Sequence, residues 1–483
     1  MSKSSDDSSL AKTEFQGGQD AFYRGIGTVD IVFMVVAAVA PLGAAAIVVP
    51  TVFAQSGSIA SPLYFIAAAA ILCLFSVGFT LMSRYIQNAG AFYTYIQAGL
   101  GKMMGSGAAS LALVSYLILM IGLYAYIGVA SAAAASTYLS LIIPWWIWSF
   151  AFIGIVAFLG YRDIELSAKV LGVVLVLEVL AIFIVNFAII FHGGAEGLST
   201  APLNVEKTMS GAPGLGLLFA FYAFLGFETI AVFRSEARDP DRAIPRATYA
   251  AVIFMGGLYA FSAWSQAVGI GVSKFLEIAS ADPAVVLPNL ASQYVGTTMK
   301  DLIEVLLVTS FFACVLSFHN VVARYQFTLA RGGLLPRALG TVHESHRSPS
   351  LSSLTVTVIS FTILGALTVA RLDPVTDIYT WFSGSATLGL VVLMTLTSLS
   401  VVVFHQREKM KDSIWSATVA PILSLIGLCT VLYLMVQNLE MLVGGRIAAT
   451  CVLIATGLAF ALGVSWAAMV KRRKPRDYAQ MLE

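Results

Sequence analysis

Ionisable side chains are rare inside the long apolar stretches of this sequence. Glu178, Glu228 and His319 each lie within such a stretch, and Glu304 lies near the end of one. Burial disfavours the charged form of a carboxyl group, so a buried glutamate can take up and release a proton. Histidine changes its charge near neutral pH. We therefore interpret Glu178 and His319 as candidate proton-transfer groups.

These two residues also have other interpretations. Glu178 could bind a cation together with backbone carbonyls and the hydroxyl of Thr309 or Ser310, or it could be a protonated packing residue. His319 precedes Asn320 in the sequence, and a hydrogen-bonded packing role suits a buried histidine equally. The residue types alone leave these alternatives open.

Two of the apolar stretches contain residues that interrupt a helix. The stretch DIVFMVVAAVAPLGAAAIVVP contains Pro41, which lacks a backbone N–H. The stretch FYAFLGFETI contains Gly226, followed closely by Glu228. We predict that Gly226 lets the helix unwind and that Glu228 lies in the first turn of the resumed half-helix, where the helix dipole favours a carboxylate. Glu228 is then either a structural tie for the unwound backbone or a gating or proton-linked group.

The composition places these stretches in a membrane. Of the 483 residues, 58% are hydrophobic and 11% are charged, whereas soluble proteins carry about 25% charged residues. A membrane-spanning helix needs about 20 mostly apolar residues, so we predict an all-α integral membrane protein with about twelve transmembrane helices. The predicted spans are 29–54, 60–82, 106–135, 144–160, 168–191, 212–233, 247–271, 302–326, 352–370, 377–404, 414–437 and 446–470.

The interruptions fall in the first and sixth predicted spans. Interrupted helices at matching positions are typical of inverted repeats and indicate a substrate site near the middle of the membrane. We predict a five-plus-five inverted repeat with halves at residues 25–200 and 201–405. Residues 406–470 are expected to form two peripheral helices, residues 1–24 a disordered cytoplasmic N-terminus, and residues 471–483 a basic cytoplasmic tail.

The positive charges predict the orientation of the chain. Most of the 28 Lys and Arg residues fall on the same side as both termini, and cytoplasmic loops are enriched in Lys and Arg. We expect both termini in the cytoplasm and the chain in a bacterial-type plasma membrane. The N-terminal segment lacks the apolar core of a cleaved signal peptide.

Several function classes find no support in the sequence. The balance of 28 basic and 26 acidic residues argues against a nucleic-acid footprint. The sequence contains no nucleotide-binding loop, metal-ligand cluster or nucleophile elbow, so we expect no cofactor, no metal site and no enzyme activity. The four cysteines lie in apolar runs and are interpreted as small buried hydrophobic residues.

Three stretches resemble the amino acid–polyamine–organocation (APC) superfamily of transporters. YAFLGFETIAVFRSEARDPDRAIPRA, which begins at Tyr222, is similar to the sixth helix and following loop of that family. NAGAFYTY (88–95) and NVVARYQFTLARGGLLP (320–336) are similar to the segment after its second helix and to the end of its eighth. The resemblance covers roughly residues 25–340. It implies the leucine-transporter (LeuT-type) fold, in which helices 1 to 10 form the inverted repeat.

The resemblance also implies a substrate site in the first helix. The amides of Gly43, Ala44 and Ala45 would bind a carboxylate at the start of a half-helix. The carbonyls of Ala40 and Pro41 would face an ammonium group. This chain departs from the family pattern, since Ala44 has no hydroxyl, Ala45 replaces a glycine and Pro41 is unusual at its position.

In the sixth helix, Tyr222 aligns with an aromatic residue that caps the substrate in relatives. The resemblance implies that the carbonyls of Ala223 and Leu225 bind the substrate's ammonium group. Tyr93 matches a gate tyrosine, with an interfacial aromatic anchor as its alternative role. Plain helix packing is the alternative for Tyr222.

Gating and coupling complete the expected site. Gly226 and Glu228 join Tyr93 as gating residues. Glu178 stands where proton-coupled relatives carry a buried lysine, and that lysine takes the place of a sodium ion in other members of the fold. His319 is the second proton candidate.

The expected function is secondary active transport of small, mainly neutral amino acids by alternating access, coupled to protons. An amine or polyamine carrier and an amino-acid exchanger of the same fold are the alternatives, although a polyamine would require acidic side chains in the pocket, and only Glu228 is near. An intramembrane enzyme and a membrane receptor are rivals from other classes. The expected partners are the substrate, a proton and the lipid bilayer, and the chain is a monomer or homodimer.

Overall fold

The computed structural model describes residues 27–86, 92–161, 168–230, 237–343, 348–408 and 412–480. The described part of the chain is almost entirely helical. In chain order the helices are α1 (Thr28–Val39), α2 (Pro41–Ser56), α3 (Pro62–Tyr85), α4 (Phe92–Leu100), α5 (Lys102–Leu139), α6 (Trp145–Tyr161), α7 (Ala168–Phe191), α8 (Pro213–Tyr222), α9 (Pro240–Ile270), α10 (Phe275–Ala281), α11 (Val286–Tyr294), α12 (Thr297–Arg331), α13 (Ser350–Val369), α14 (Pro374–Glu408), α15 (Trp415–Leu442), α16 (Arg446–Arg473) and α17 (Pro475–Gln480).

Ten of the described helical segments are long and apolar enough to cross a membrane. Two further predicted spans correspond to shorter helices. The first is divided between α1 and α2, and the fourth is α6, which has 17 residues. The structure therefore confirms an all-helical membrane protein, while the inverted repeat remains a prediction.

Four short helices, α4, α10, α11 and α17, do not belong to any predicted span. Parts of the predicted motifs also lie outside the described residues. These parts are the N-terminus 1–24, residues 88–91 of the stretch after α3, residues 231–236 after α8, and residues 481–483 of the C-terminal tail.

The predicted break at Pro41 is confirmed. Helix α1 ends at Val39, and Ala40 has φ 55° and ψ 70°, in the left-handed region. A residue before proline is disfavoured in the right-handed helical region because its backbone clashes with the proline ring. For alanine the left-handed conformation costs about 1–2 kcal/mol, so the surrounding packing must hold the break in place.

The predicted break at Gly226 is also confirmed. Helix α8 ends at Tyr222 and a turn leads to Gly226, which has φ 109°. Glycine reaches this backbone conformation without steric cost because it has no Cβ. A short 3₁₀ segment then covers residues 227–230.

Helix α5 lies at the centre of the bundle and packs against α4, α6, α12, α14 and α16. Small residues allow the closest approaches. A Cβ at Gly463 of α16 would overlap the carbonyl oxygen of Ser106 in α5, and a Cβ at Gly99 of α4 would overlap Ser400 in α14. Close backbone approach through small residues is the usual packing mode of membrane helices, because lipid provides no hydrophobic drive for association.

Candidate functional site

A central cavity of about 30 Å³ lies where the two helix breaks meet. Six of the eight predicted substrate-binding residues line it, and two, Pro41 and Ala45, do not. The lining residues are Val39, Ala40, Gly43, Ala44, Val48, Leu119, Leu123, Tyr222, Ala223, Leu225, Phe311, Cys314, Phe318 and Tyr379. No acidic or basic side chain is among them. The wall is therefore made of backbone from the breaks and of apolar or hydroxyl-bearing side chains.

The cavity is too small for an amino acid in this conformation. A cavity of about 10–15 Å³ on this scale holds one water molecule, and pockets that hold small ligands commonly measure about 300–1,000 Å³. Binding of a substrate therefore requires the surrounding helices to move apart.

One aromatic layer closes the cavity on one side. This layer, which we call the Tyr222 layer, consists of Tyr126, Tyr222, Phe311 and Tyr379. The Tyr126 ring lies 4.7 Å from that of Phe311 and 4.8 Å from that of Tyr379, which in turn lies 6.0 Å from the Tyr222 ring. These centroid distances fall in or near the range of favourable aromatic pairs.

A second aromatic layer lies beyond the other end of the cavity along α5 and α12, and its member Phe318 reaches the cavity wall. This Tyr116 layer consists of Tyr93, Tyr116, Phe318 and Tyr325. Tyr325 lies 5.4 Å from Tyr93 in a T-shaped pair and 6.3 Å from Tyr116. Both layers draw on α5 and α12, and Leu119, Leu123 and Cys314 of these helices face the cavity between them.

The backbone of the first break is already partly engaged. The Ala44 amide donates to the Ala40 carbonyl at 3.0 Å. This amide was expected to bind the substrate carboxylate, but it already has a partner. The Leu42 amide donates to Glu178 Oε2 at 3.4 Å. N–H groups in the first turn of a helix have no acceptor within the helix. Gly43, in that turn and at the cavity wall, therefore supplies the candidate amide for an anion.

The backbone of the second break provides acceptors. Within the turn, the Leu225 amide donates to the Tyr222 carbonyl at 3.0 Å and the Phe227 amide to the Phe224 carbonyl at 3.2 Å. The carbonyls of Ala223 and Leu225 receive no backbone hydrogen bond from any described residue. Both residues line the cavity, so their carbonyl groups are available to a cationic ligand.

Glu178 lies behind the first break and not at the cavity wall. It is only 3% exposed, and its Oε2 accepts from the Ser310 hydroxyl at 2.9 Å as well as from the Leu42 amide. Its carboxyl group thus joins α7 to the start of α2 and to α12. Ser310 is one of the two hydroxyl residues named as its possible partners from the sequence, whereas the Thr309 hydroxyl donates to the Leu306 carbonyl.

Glu228 ties the second break to α5. It is fully buried, its Oε2 accepts from the Gly226 amide at 3.0 Å, and its Oε1 accepts from the Tyr116 hydroxyl at 2.6 Å. One carboxyl group therefore satisfies the unwound backbone and also contacts the Tyr116 layer.

His319 lies apart from the cavity. Its Nε2 is 2.8 Å from the Ser353 hydroxyl of α13, and its ring packs against Gly160 of α6. Among the described residues its Nδ1 has no hydrogen-bond partner. The structure does not bring His319 next to Glu178, which contacts α2 and Ser310 instead, and a role of His319 in proton transfer remains a prediction.

Sequence reasoning missed most of the aromatic closure. Tyr126, Phe311 and Tyr379 lie in helices whose apolar patterns do not distinguish a cavity face from a packing face. Their only sequence signal is the combination of an aromatic ring and, for the two tyrosines, a hydroxyl within a long apolar run. No group of three or more metal-ligating side chains occurs among the residues that the structure describes.

Comparison with known proteins identifies the family to which the chain is related. Residues 26–471 match the family model described as "Amino acid permease". The low-affinity putrescine importer PlaP of Escherichia coli is 25% identical over 68% of this chain and 70% of its own length. The branched-chain amino acid permease BcaP of Bacillus subtilis is 21% identical over 81% of this chain and 83% of its own length. The methylthioribose transporter of Bacillus subtilis is 21% identical over 43% of this chain and 42% of its own length.

The matched region includes both helix breaks and every residue of the cavity wall. The ten long apolar helices agree with the multi-pass character of such permeases. The chain therefore belongs to the amino acid permease family of the APC superfamily.

Proposed function

We propose that this permease moves small, mainly neutral amino acids across the membrane by alternating access coupled to protons. The observation that carries the proposal is the central cavity, which combines backbone groups of two helix breaks with an apolar wall that has no charged side chain. Interrupted helices that meet at a central site are the usual arrangement for substrate binding in secondary transporters.

The two breaks offer complementary partners for an amino-acid zwitterion. The start of α2 presents the Gly43 amide and the positive end of a helix dipole, which favour a carboxylate. The free carbonyls of Ala223 and Leu225 at the end of α8 favour an ammonium group. No charged side chain is needed for either contact.

The rest of the wall indicates the substrate's side chain. Leu119, Leu123, Phe311 and Phe318 line the cavity, and burying apolar surface against them contributes about 25 cal/mol per Å². A polar or charged substrate side chain would lose its hydration there without a partner. The wall therefore favours small neutral amino acids.

A diamine is the second candidate, because one relative is a putrescine importer. A diamine carries two ammonium groups and would benefit from a carboxylate at each. Glu178 and Glu228 are both buried outside the cavity wall and already accept two hydrogen bonds each. Amines therefore rank below amino acids for this cavity.

Glu178 is the proposed coupling group. It contacts the turn of α2 that carries the Gly43 amide, so a proton taken up by the carboxyl group acts directly on the substrate-binding turn. Desolvation at this fully buried position favours the neutral form when no cation is near. Loading and release of the proton would then accompany the movement of α2.

The first test is ligand-induced thermal stabilisation of the purified permease against a panel of neutral amino acids, charged amino acids and putrescine. A ligand at 100 times its dissociation constant adds about 2.7 kcal/mol to the free energy of unfolding. We expect neutral amino acids to stabilise the protein and Tyr222→Ala to lose this effect. Tyr433→Ala in α15, where the side chain is exposed, is the matched control and should keep it.

Uptake of the stabilising ligand into proteoliposomes then distinguishes a carrier from a receptor. Stabilisation by putrescine and not by amino acids would show that the substrate is a diamine and not a neutral amino acid. Stabilisation without uptake would contradict the transport proposal itself.

A further inference from the structure

The side chain of Gln266 in α9 forms a hydrogen bond to the first helix that plays no part in the proposed function above. The residue is fully buried, and its Nε2 donates to the carbonyl oxygen of Ala45 in α2 at 2.8 Å. Gln266 and Ala45 are separated by 221 residues, and the bond joins α9 to the first helix just after its break.

The Ala45 carbonyl needs this donor because of the local sequence. Residues Ala44–Val48 form a π-helical stretch, in which the Val49 amide donates to the Ala44 carbonyl. The next residue, Pro50, has no N–H, so neither the i+4 nor the i+5 amide is available to Ala45. Gln266 supplies the donor that the helix itself cannot.

The same side chain carries an unsatisfied atom. Among the described residues, Gln266 Oε1 has no hydrogen-bond partner. A buried polar atom without a partner costs about as much free energy as a buried hydrogen bond contributes. A glutamine at this position therefore adds little net stability. Its main effect is to fix the position of Ala45 in α2.

The turn between the two held residues is the substrate-binding turn. Leu42 is held by Glu178 on one side, and Ala45 is held by Gln266 on the other. Gly43 and Ala44 lie between them and line the cavity. The position of the Gly43 amide thus depends on both side chains.

We propose that Gln266 is a positioning residue for substrate binding, which holds Ala45 so that the Gly43 amide faces the substrate carboxylate. The inference rests on the proposed function, in which this amide binds a carboxylate. It adds a second side chain, from a different helix, to the control of that turn.

The test compares Gln266→Leu with the unmodified permease in two measurements. Leucine keeps the volume but donates no hydrogen bond. We expect the melting temperature without ligand to change little, because the loss of the unpaired Oε1 offsets the Ala45 carbonyl that is left without a donor. The dissociation constant for a neutral amino acid should increase about tenfold, the equivalent of one lost hydrogen bond. Gln266→Met serves the same purpose if the leucine variant does not fold.

Recovery of the affinity in a double variant tests the role of the hydrogen bond most directly. Pro50→Ala restores a backbone N–H to α2, so the double variant Pro50→Ala with Gln266→Leu should recover part of the lost affinity. Asn186→Leu is the matched control, because Asn186 is fully buried, its Oδ1 has no partner in the described part of the chain, and its Nδ2 donates to Ser262 of α9. It should leave the affinity unchanged.

An unchanged affinity in Gln266→Leu, or an equal loss in Asn186→Leu, would overturn the positioning role. A lower melting temperature with unchanged affinity would show a purely structural bond. If no amino acid binds the unmodified permease, the proposed function fails, and this outcome is visible before any variant is made.

Discussion

At the scale of single residues, Glu228 shows how a side chain can stabilise an unwound helix inside a membrane protein. Backbone groups exposed by a break have no water to bind in the membrane interior and must be satisfied by the protein. Glu228 accepts from the Gly226 amide and from the Tyr116 hydroxyl with its two oxygens. These contacts support the structural interpretation of Glu228. The contact with Tyr116 also places Glu228 beside the Tyr116 layer, which would open in the proposed transport cycle.

Glu228→Ala should lower the free energy of unfolding, because it leaves two buried donors unpaired at about 1–3 kcal/mol each. Glu228→Gln should be much milder, since its amide can accept from the Gly226 N–H and donate to the Tyr116 oxygen. Unfolding in mixed detergent micelles measures both. Equal damage in the two variants would point to the charge or proton of Glu228 and not to its hydrogen bonds.

At the scale of elements, the short helix α4 connects the Tyr116 layer to α14. Tyr93 of α4 packs against Tyr325. On its other side, α4 is held by the Ser400 hydroxyl, which donates to the Tyr95 carbonyl, and by Arg407, which donates to the Gly99 carbonyl at 3.0 Å. The position of α14 thus sets where Tyr93 lies.

Gly99→Ala should separate α4 from α14, because the added methyl group would overlap the side chain and carbonyl of Ser400. Overpacking of this kind costs about 1–3 kcal/mol, and we expect a lower melting temperature together with slower uptake. Gly154→Ala in α6 is the control, since no described atom beyond its own stretch of helix lies within 4 Å of its added methyl group. Uptake at the normal rate in Gly99→Ala would show that α4 does not take part in gating.

At the scale of the whole molecule, the two aromatic layers lie on opposite sides of a cavity that is almost closed. In the proposed alternating access each layer would open in turn, and α5 and α12, which contribute to both layers, would separate from the broken helices at one layer at a time. Glu178 holds the start of α2 against α7 and α12. A change of its protonation therefore acts where these groups of helices meet.

Glu178→Gln should uncouple transport from the proton gradient, because glutamine mimics a permanently protonated carboxyl group. We expect exchange of labelled for unlabelled substrate in proteoliposomes to persist, while accumulation driven by a pH gradient falls to the level without a gradient. Ser310→Ala removes a hydrogen-bond donor but keeps the acid, so it should retain accumulation. Normal accumulation in Glu178→Gln would make Glu178 a packing residue.

Local features of the sequence were sufficient to predict the long helices and the two helix breaks. Apolar runs predict membrane helices because lipid satisfies no backbone hydrogen bonds, and the long helices between α3 and α16 follow the predicted spans closely, whereas the short helices α4, α10 and α11 were not predicted. Pro41 and Gly226 predict the breaks because each acts on the backbone at its own position. The same breaks, with the family resemblance, indicated six residues of the cavity wall.

Contacts between distant parts of the chain decided the rest. Glu178 and Gln266 hold the turn at residues 42–45 across sequence separations of 136 and 221 residues, and the partners of Tyr222 in its layer come from α5, α12 and α14. Hydropathy is the same for a side chain that faces a cavity and one that faces another helix. The sequence by itself therefore determined where the helices run and where they break, while the rotation and packing of those helices decided which side chains meet at the cavity.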